Sequence, residues 1–172
     1  VRFYSHSGID FRSLARVAVK TVLGGDSSQG GGSTITQQLA KLLYSGVSGS
    51  ILDRIYQKPN EWVIAVNLEQ QYTKNEIIAM YLNKYDFGNN AVGIKSASNV
   101  YFGKLPSLLS IEEAATLVGM CKNSSLYNPR RRPEKTKERR NVVFMHMEKA
   151  GLPVFTEKRE KQFQMLMIIW VL

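Results

Sequence analysis

Residues 31–41 read GGSTITQQLAK, a glycine-rich turn that leads into the start of an amphipathic helix. Glycine permits positive φ and close approach of a ligand to the backbone, and Ser33 offers an N-cap hydroxyl to the helix. On a helix with 3.6 residues per turn, Ser33, Gln37 and Lys41 form one polar stripe. The apolar residues on the opposite side of the helix are predicted to form its core face; they are Ile35, Leu39, Leu42 and Leu43.

The polar stripe has two interpretations. A hydroxyl, an amide and an ammonium in one line, beside the free N–H groups of a helix N-terminus, suit an anionic and hydroxyl-rich ligand. The alternative is a capped amphipathic helix that follows a Gly/Ser loop and binds nothing. Spacing alone leaves both interpretations open.

The composition is that of an ordinary globular chain with an excess of positive charge. The 172 residues are enough for one domain with a real core, and 44% are hydrophobic. The net charge of +9 favours an anionic partner, which could be nucleic acid, an anionic membrane surface or a phosphate-bearing substrate. A single cysteine, Cys121, excludes an intramolecular disulfide, and two histidines make a structural zinc site unexpected. No apolar run is long enough to span a membrane.

The first half of the chain predicts helices separated by a loop. Asp10 is placed to cap a helix that runs to about Leu23, and residues 24–32 predict a mobile loop. The apolar period of this first helix is formed by Phe11, Leu14, Ala15, Ala18, Val19 and Val22. Pro59 suits position N1 of a helix to about Tyr72, which places Glu61 in its first turn. The run Trp62–Val66 then predicts a helix that is buried on all sides.

The second half carries clearer start and stop signals. Capping boxes begin two helices, at Thr73-Lys-Asn-Glu76 and at Ser110-Ile-Glu-Glu113. A charged helix is predicted from about Glu134 to Ala150, with Gly151 as its stop. Because we find neither a convincing strand nor an internal repeat, the sequence predicts an all-α fold of seven or so helices.

Several ordered segments together resemble one known family. They are Phe3-Tyr-Ser-His-Ser-Gly8, Gly31–Lys41, Gln57-Lys-Pro-Asn-Glu61, Tyr81-Leu-Asn83 with Phe87-Gly88 and Gly93-Ile94, Tyr101-Phe-Gly-Lys104, and Leu109–Met120. In order and approximate spacing they resemble the peptidoglycan glycosyltransferase (transglycosylase) domain of class A penicillin-binding proteins and monofunctional transglycosylases. The resemblance predicts such a domain over residues 1–151, and residues 152–172 as an atypical tail, truncated or non-native, because their composition changes abruptly.

The resemblance implies a lysozyme-like, all-helical domain at the outer face of the bacterial cytoplasmic membrane. Members polymerise lipid II into glycan strands with inversion at the anomeric carbon and release undecaprenyl pyrophosphate. The implied partners are lipid II, the growing glycan strand and the membrane surface, and the parent protein of many members also carries a transpeptidase domain. No cofactor is required, although a divalent cation is compatible with the chemistry. Members carry an N-terminal transmembrane helix, which is not found within these residues.

The resemblance also assigns site residues. The second motif supplies the substrate-binding residues Ser33, Thr34, Gln37, Gln38 and Lys41. The third motif supplies Lys58 as a substrate-binding residue and Glu61 as a catalytic group near the leaving pyrophosphate. Arg54 is assigned to substrate binding as well, although it matches the motif less closely. The resemblance implies no metal ligand. Without the resemblance, Glu61 would be read as a residue that interacts with a helix dipole.

The first motif of the family begins with Glu-Asp, and its glutamate is the catalytic base. That glutamate would lie two positions before Val1 and the aspartate directly before Val1, so we expect the 172 residues alone to polymerise little or no lipid II. His6 of this motif is read as structural rather than as a general base. Two other functions remain: a lipid II-binding module without turnover, and a lysozyme-like glycoside hydrolase, which would need two carboxylates across a cleft.

Two surfaces of the chain are predicted to face other molecules. The family implies that apolar residues between the first two motifs dip into the bilayer, here within Leu14–Leu23, with Val17, Val22 and Leu23 as candidates. The basic segment 130–140 is interleaved with glutamates and has no aromatic residues stacked among its cations. It therefore predicts a solvated or membrane-facing surface rather than a nucleic-acid site.

Overall fold

The fold is built from helices. The computed structural model describes residues 2–24, 32–44 and 51–151, with side chains over 3–20, 32–44 and 57–151. Its α-helices are α1 (Phe11–Gly24), α2 (Ile35–Tyr44), α3 (Ile51–Gln71), α4 (Lys74–Lys84), α5 (Ile94–Phe102), α6 (Ile111–Met120) and α7 (Pro133–Lys149), and short 3-10 helices cover Arg2–Ser5 and Pro106–Leu108. Over these ranges the structure contains no strand, only an isolated bridge between Asp86 and Val92. The predicted all-α class is confirmed, whereas residues 25–31 of the predicted loop and the tail 152–172 lie outside the described residues.

Short-range signals in the sequence set the starts of three helices. Asp10 caps α1 because its Oδ1 accepts the N–H groups of Arg12 and Ser13 at 3.1 and 3.2 Å. Ser110 and Glu113 form the predicted capping box of α6, and Thr73 forms one with Glu76 at the start of α4.

The chain divides into two compact units. The first, Arg2–Tyr81, contains α1 to α3 and the first part of α4, and α2 packs against α3. Its most deeply buried apolar side chains are Phe3, Ile35, Leu39, Ala40, Ala65, Ile77, Ile78 and Tyr81. The second unit begins at Leu82, and its α6 packs against α7. Each large apolar side chain that is fully buried contributes about 1.5–3 kcal/mol.

Pro59 does not begin a helix. It lies inside α3, and Glu61 is therefore a mid-helix residue rather than a first-turn residue. Proline in a helix interior removes one i→i−4 hydrogen bond, and the sequence rule accordingly predicts a start there. The prediction was wrong because one missing bond can be outweighed by the contacts of a long helix that packs against α2.

Two predicted apolar faces are partly exposed. In α3 only Ala65 of the run Trp62–Val66 is fully buried, and Val63 is exposed, so this helix is not buried on all sides. In α2 Leu42 is exposed, whereas Ile35 and Leu39 are buried as predicted.

The apolar period predicted as the core face of α1 largely faces outward. The side chains of Phe11 and Val19 are 70% and 54% exposed, and Ala15 and Ala18 are exposed too. Leu14 faces inward instead: a Cβ placed on Gly32 would lie 3.3 Å from its Cδ2 atom. Within the described part of the chain, no helix is both long and apolar enough to cross a membrane.

Candidate functional site

The N-terminus of α2 is capped by Thr34 and not by Ser33. The Thr34 hydroxyl accepts the N–H of Gln37 at 3.1 Å, while Gln37 Oε1 accepts the N–H of Thr34 at 2.9 Å. This reciprocal pair is a capping box, and the Thr-x-x-Gln spacing in the sequence is its signature. The predicted cap was one residue too early, and the shift leaves the exposed Ser33 hydroxyl outside the helix.

A cleft of about 250 Å³ lies beside this helix end. It is lined by Ser33, Gln37, Gln38, Lys41, Lys58 and Glu61. The polar stripe predicted on α2 therefore does border a cavity, and α3 supplies the other two residues. These six residues all belong to the unit Arg2–Tyr81.

The two glutamines of the cleft have their amide oxygens engaged within the protein. Gln37 Oε1 accepts the Thr34 N–H, and Gln38 Oε1 accepts the Tyr81 hydroxyl at 3.1 Å. The Gln37 side chain is 1% exposed, and its Nε2 atom has no hydrogen-bond partner among the described residues. A buried donor without a partner is costly, so the cleft presents an amide N–H₂ ready for an acceptor on a ligand.

Lys58 and Glu61 form an ion pair one helical turn apart. The Lys58 Nζ atom lies 2.6 Å from Glu61 Oε2, and the two side chains are 46% and 3% exposed, respectively. The buried carboxylate of Glu61 engages one of the three N–H donors of the Lys58 ammonium, and the other two belong to a half-exposed group that lines the cleft. With Lys41, the lining carries two ammonium groups and one carboxylate.

Of the predicted site residues whose side chains the structure describes, only Thr34 does not line the cleft. The Thr34 side chain is buried, and its hydroxyl donates to the Gly8 carbonyl at 2.6 Å, so its role is to cap α2 and connect it to the first motif. Arg54 belongs to the part of α3 whose side chains lie outside the described residues.

The chemistry of this lining suits an anionic ligand. Hydroxyl, amide and ammonium donors converge on one cavity, and the net charge of its lining is positive. In the described part of the chain, no three His, Cys, Asp or Glu side chains are grouped so as to hold a metal ion. The six lining residues were all among the predicted site residues, whereas the Lys58–Glu61 ion pair and the orientation of the amides were not predicted.

The basic segment differs from its prediction in one respect. Arg130, Arg139 and Arg140 each lie over an aromatic ring, at 5.7, 5.9 and 5.7 Å from the centroids of Tyr101, Tyr127 and Phe144. The expectation that no aromatic residue stacks there was therefore wrong. These rings are covered by the arginines of the chain itself, through cation–π contacts within the second unit.

Comparison with known proteins identifies the family. Residues 1–148 match the transglycosylase family. The chain is 41% identical to penicillin-binding protein 1F of Bacillus subtilis over 150 residues, 87% of this chain and 20% of that protein. It is 41% identical to penicillin-binding protein 1A of Pseudomonas aeruginosa over 149 residues, which are 87% of this chain and 18% of that protein. It is 38% identical to penicillin-binding protein 1A of Escherichia coli over 150 residues, which are 87% of this chain and 17% of that protein.

The chain thus spans about a fifth of the length of these curated relatives. The match covers both units of the described fold and every residue of the cleft. The chain belongs to the transglycosylase family, the glycosyltransferase domain found in class A penicillin-binding proteins.

Proposed function

We propose that this domain polymerises lipid II into glycan strands, with inversion at the anomeric carbon and release of undecaprenyl pyrophosphate. The reaction transfers a lipid-linked sugar chain to the sugar hydroxyl of an acceptor. The hydroxyl loses its proton to a carboxylate, its oxygen forms a bond to C1 of the donor, and the bond from C1 to the pyrophosphate oxygen breaks. The observation that carries the proposal is the donor-rich cleft at the N-terminus of α2.

The cleft residues divide the work of stabilising the leaving pyrophosphate. As C1–O bond cleavage proceeds, negative charge develops on the pyrophosphate, and Lys41 and Lys58 offset this charge from two sides of the cleft. The Gln37 amide and the Ser33 hydroxyl donate hydrogen bonds that orient the same group, and Gln38 completes the wall. Glu61 acts through Lys58, since its buried carboxylate fixes the ammonium at 2.6 Å.

The proposed general base is the glutamate that the family motif places two positions before Val1. Its position follows from Phe3, His6 and Gly8, which match the second half of that motif. The 3-10 helix Arg2–Ser5 and the bond from Thr34 to the Gly8 carbonyl connect this segment to α2 and its cleft.

The test is polymerisation of lipid II by two versions of the domain. One carries Glu-Asp directly ahead of Val1, and its matched control carries Gln-Asp. We expect glycan polymer from the first version only, because glutamine cannot accept the proton of the acceptor hydroxyl. Strand products are resolved by gel electrophoresis, and the anomeric configuration of the new bond is read by NMR.

Three outcomes would contradict this proposal in different ways. Polymer from the Gln-Asp version would mean that another carboxylate, such as Glu61, is the base. Fragments from finished glycan, without new polymer, would identify a glycoside hydrolase. Binding of lipid II without turnover in the Glu-Asp version would identify a binding module.

The exposed face of α1 is proposed to lie on the outer surface of the bacterial cytoplasmic membrane. Among residues 11–20 of α1, whose side chains the structure describes, Phe11 and Val19 are the most exposed large apolar side chains. We expect Phe11→Ser with Val19→Ser to weaken partitioning into lipid vesicles by at least about tenfold, since each buried side chain contributes about 1.5–3 kcal/mol. Sedimentation with vesicles of anionic phospholipid measures this.

The control for the membrane experiment removes a similar apolar area elsewhere. Val92 and Leu105 are 58% and 54% exposed and belong to the second unit. Val92→Ser with Leu105→Ser should leave vesicle binding unchanged. An equal loss in both double variants would show that binding is not specific to α1.

A further inference from the structure

Lys74, at the start of α4, has three partners around a single ammonium. Its Nζ atom lies 2.6 Å from Glu69 Oε2, donates to the His6 carbonyl at 2.6 Å, and stands 4.7 Å from the centroid of the Phe3 ring. The side chain is only 16% exposed. Two of these partners belong to the 3-10 helix and turn that carry the first motif.

Glu69 connects Lys74 and its partners, here called the Lys74 cluster, to α2. Its Oε1 atom accepts the Thr36 hydroxyl at 2.5 Å, and Thr36 directly precedes Gln37 of the cleft. The His6 Nδ1 atom lies 3.9 Å from Glu69 Oε1 but accepts the Gly8 N–H at 3.2 Å.

The cluster therefore joins the first motif to three helices. Lys74 supplies the link to Phe3 and His6, and Glu69 supplies the link to α3 and α2. Gly8 packs closely against α3, since a Cβ added to Gly8 would lie 2.8 Å from the Ala65 carbonyl carbon. The proposed base is four positions before Phe3, a span of about 8 Å if the 3-10 rise of about 2 Å per residue continues.

We propose that Lys74 is a positioning residue for the transfer reaction, which fixes the Phe3–Gly8 segment and with it the catalytic carboxylate proposed before Val1. The inference rests on the proposed function. The described partners of Lys74 lie outside the cleft lining, so its loss should impair catalysis more than substrate binding. A displacement of about 1 Å in a catalytic group can cost about 100-fold in rate.

The decisive variant is Lys74→Met with Glu69→Gln in the Glu-Asp version of the domain. Changing both residues avoids leaving a buried carboxylate uncompensated, and the amide oxygen of the introduced glutamine still accepts the Thr36 hydroxyl. We expect kcat for lipid II polymerisation to fall by about 10- to 100-fold and KM to change less than about threefold. Glu69→Gln alone should retain kcat within about threefold, because Lys74 keeps its bonds to the first motif.

Lys104→Met is the matched control. Lys104 also forms an ion pair, 2.7 Å from Glu113, but its side chain is 41% exposed. This variant should leave kcat and KM unchanged, since exposed ion pairs contribute little. An unchanged kcat in the double variant would overturn the inference, and so would a loss carried by KM alone.

Amide hydrogen exchange separates failure of this inference from failure of the proposed function. We expect the Gly8 amide to exchange about tenfold faster in the double variant than in the parent, whether or not the parent makes polymer. If the Glu-Asp parent makes no polymer, the proposed function fails. Faster exchange at Gly8 in the double variant would still support the role of Lys74 in fixing the Phe3–Gly8 segment. Unchanged exchange at Gly8 would overturn the role of Lys74.

Discussion

In the Glu-Asp version of the domain, Gln37→Glu should lose at least about 100-fold in kcat/KM for lipid II polymerisation and keep the fold. The substitution preserves the oxygen that accepts the Thr34 N–H, and glutamate is as suited to this capping position as glutamine. It replaces the Nε2 donor, which has no hydrogen-bond partner among the described residues, by a second carboxylate oxygen. Losing a donor to a charged group costs about 1.5–3 kcal/mol, and like-charge repulsion adds to this.

A second effect strengthens the expected loss. Residues 37 and 41 are one helical turn apart on α2, so the new carboxylate can pair with Lys41 and compete with the substrate for its ammonium. Thermal unfolding should give a Tm close to that of the parent, which separates loss of function from loss of structure. Wild-type kcat/KM in Gln37→Glu would mean that the Gln37 amide nitrogen does not contact the substrate.

Gly93→Ala should destabilise the protein by about 4 kcal/mol. Gly93 precedes α5 with φ 82° and ψ 155°, a backbone region that is essentially restricted to glycine and costs other residues about 1–3 kcal/mol. An added Cβ would also lie 2.8 Å from the backbone oxygen of Asn83, and overpacking typically costs about 1–3 kcal/mol more. Against a stability of about 5–15 kcal/mol, this is a large loss.

The opposite end of α5 provides the control. Gly103 also has positive φ, 65°, but a Cβ added there meets no atom within 4 Å. Gly103→Ala should therefore cost about 1–2 kcal/mol, the conformational part alone. Urea denaturation compares the midpoints of the two variants with the parent. Equal losses would show that the contact with Asn83 relaxes without cost, and that only the φ angle matters.

What the sequence predicted correctly depends on short-range chemistry. The caps at Asp10, Thr73 and Ser110 involve partners two or three residues away, so the pattern of residue types is sufficient to locate them. The lining of the cleft by Gln37 and Lys41 follows from helical periodicity in the same way, whereas Ser33 lies before the helix. The family assignment came from motif resemblance and is supported by the match over residues 1–148.

The features that the sequence did not predict depend on contacts between residues that are distant in sequence. Lys74 binds the His6 carbonyl across 68 positions, and Thr36 binds Glu69 across 33, so no local pattern indicates this cluster. Continuation of α3 through Pro59 reflects packing that outweighs a local rule. The outward face of α1 has the same periodicity as a core face, and periodicity alone cannot tell a protein interior from another apolar surface.

Gln37 caps α2 and is proposed to contact the substrate, and these two roles together would restrict how a resistant enzyme could evolve. An inhibitor that accepts a hydrogen bond from the Gln37 amide would contact a side chain whose oxygen also closes the first turn of α2. The asparagine side chain is one methylene too short to bond the Thr34 N–H, and methionine lacks both the amide oxygen and the amide nitrogen. Glutamate keeps the cap but repels an anionic substrate. Escape by substitution at this position would therefore cost the enzyme either its helix cap or its reaction.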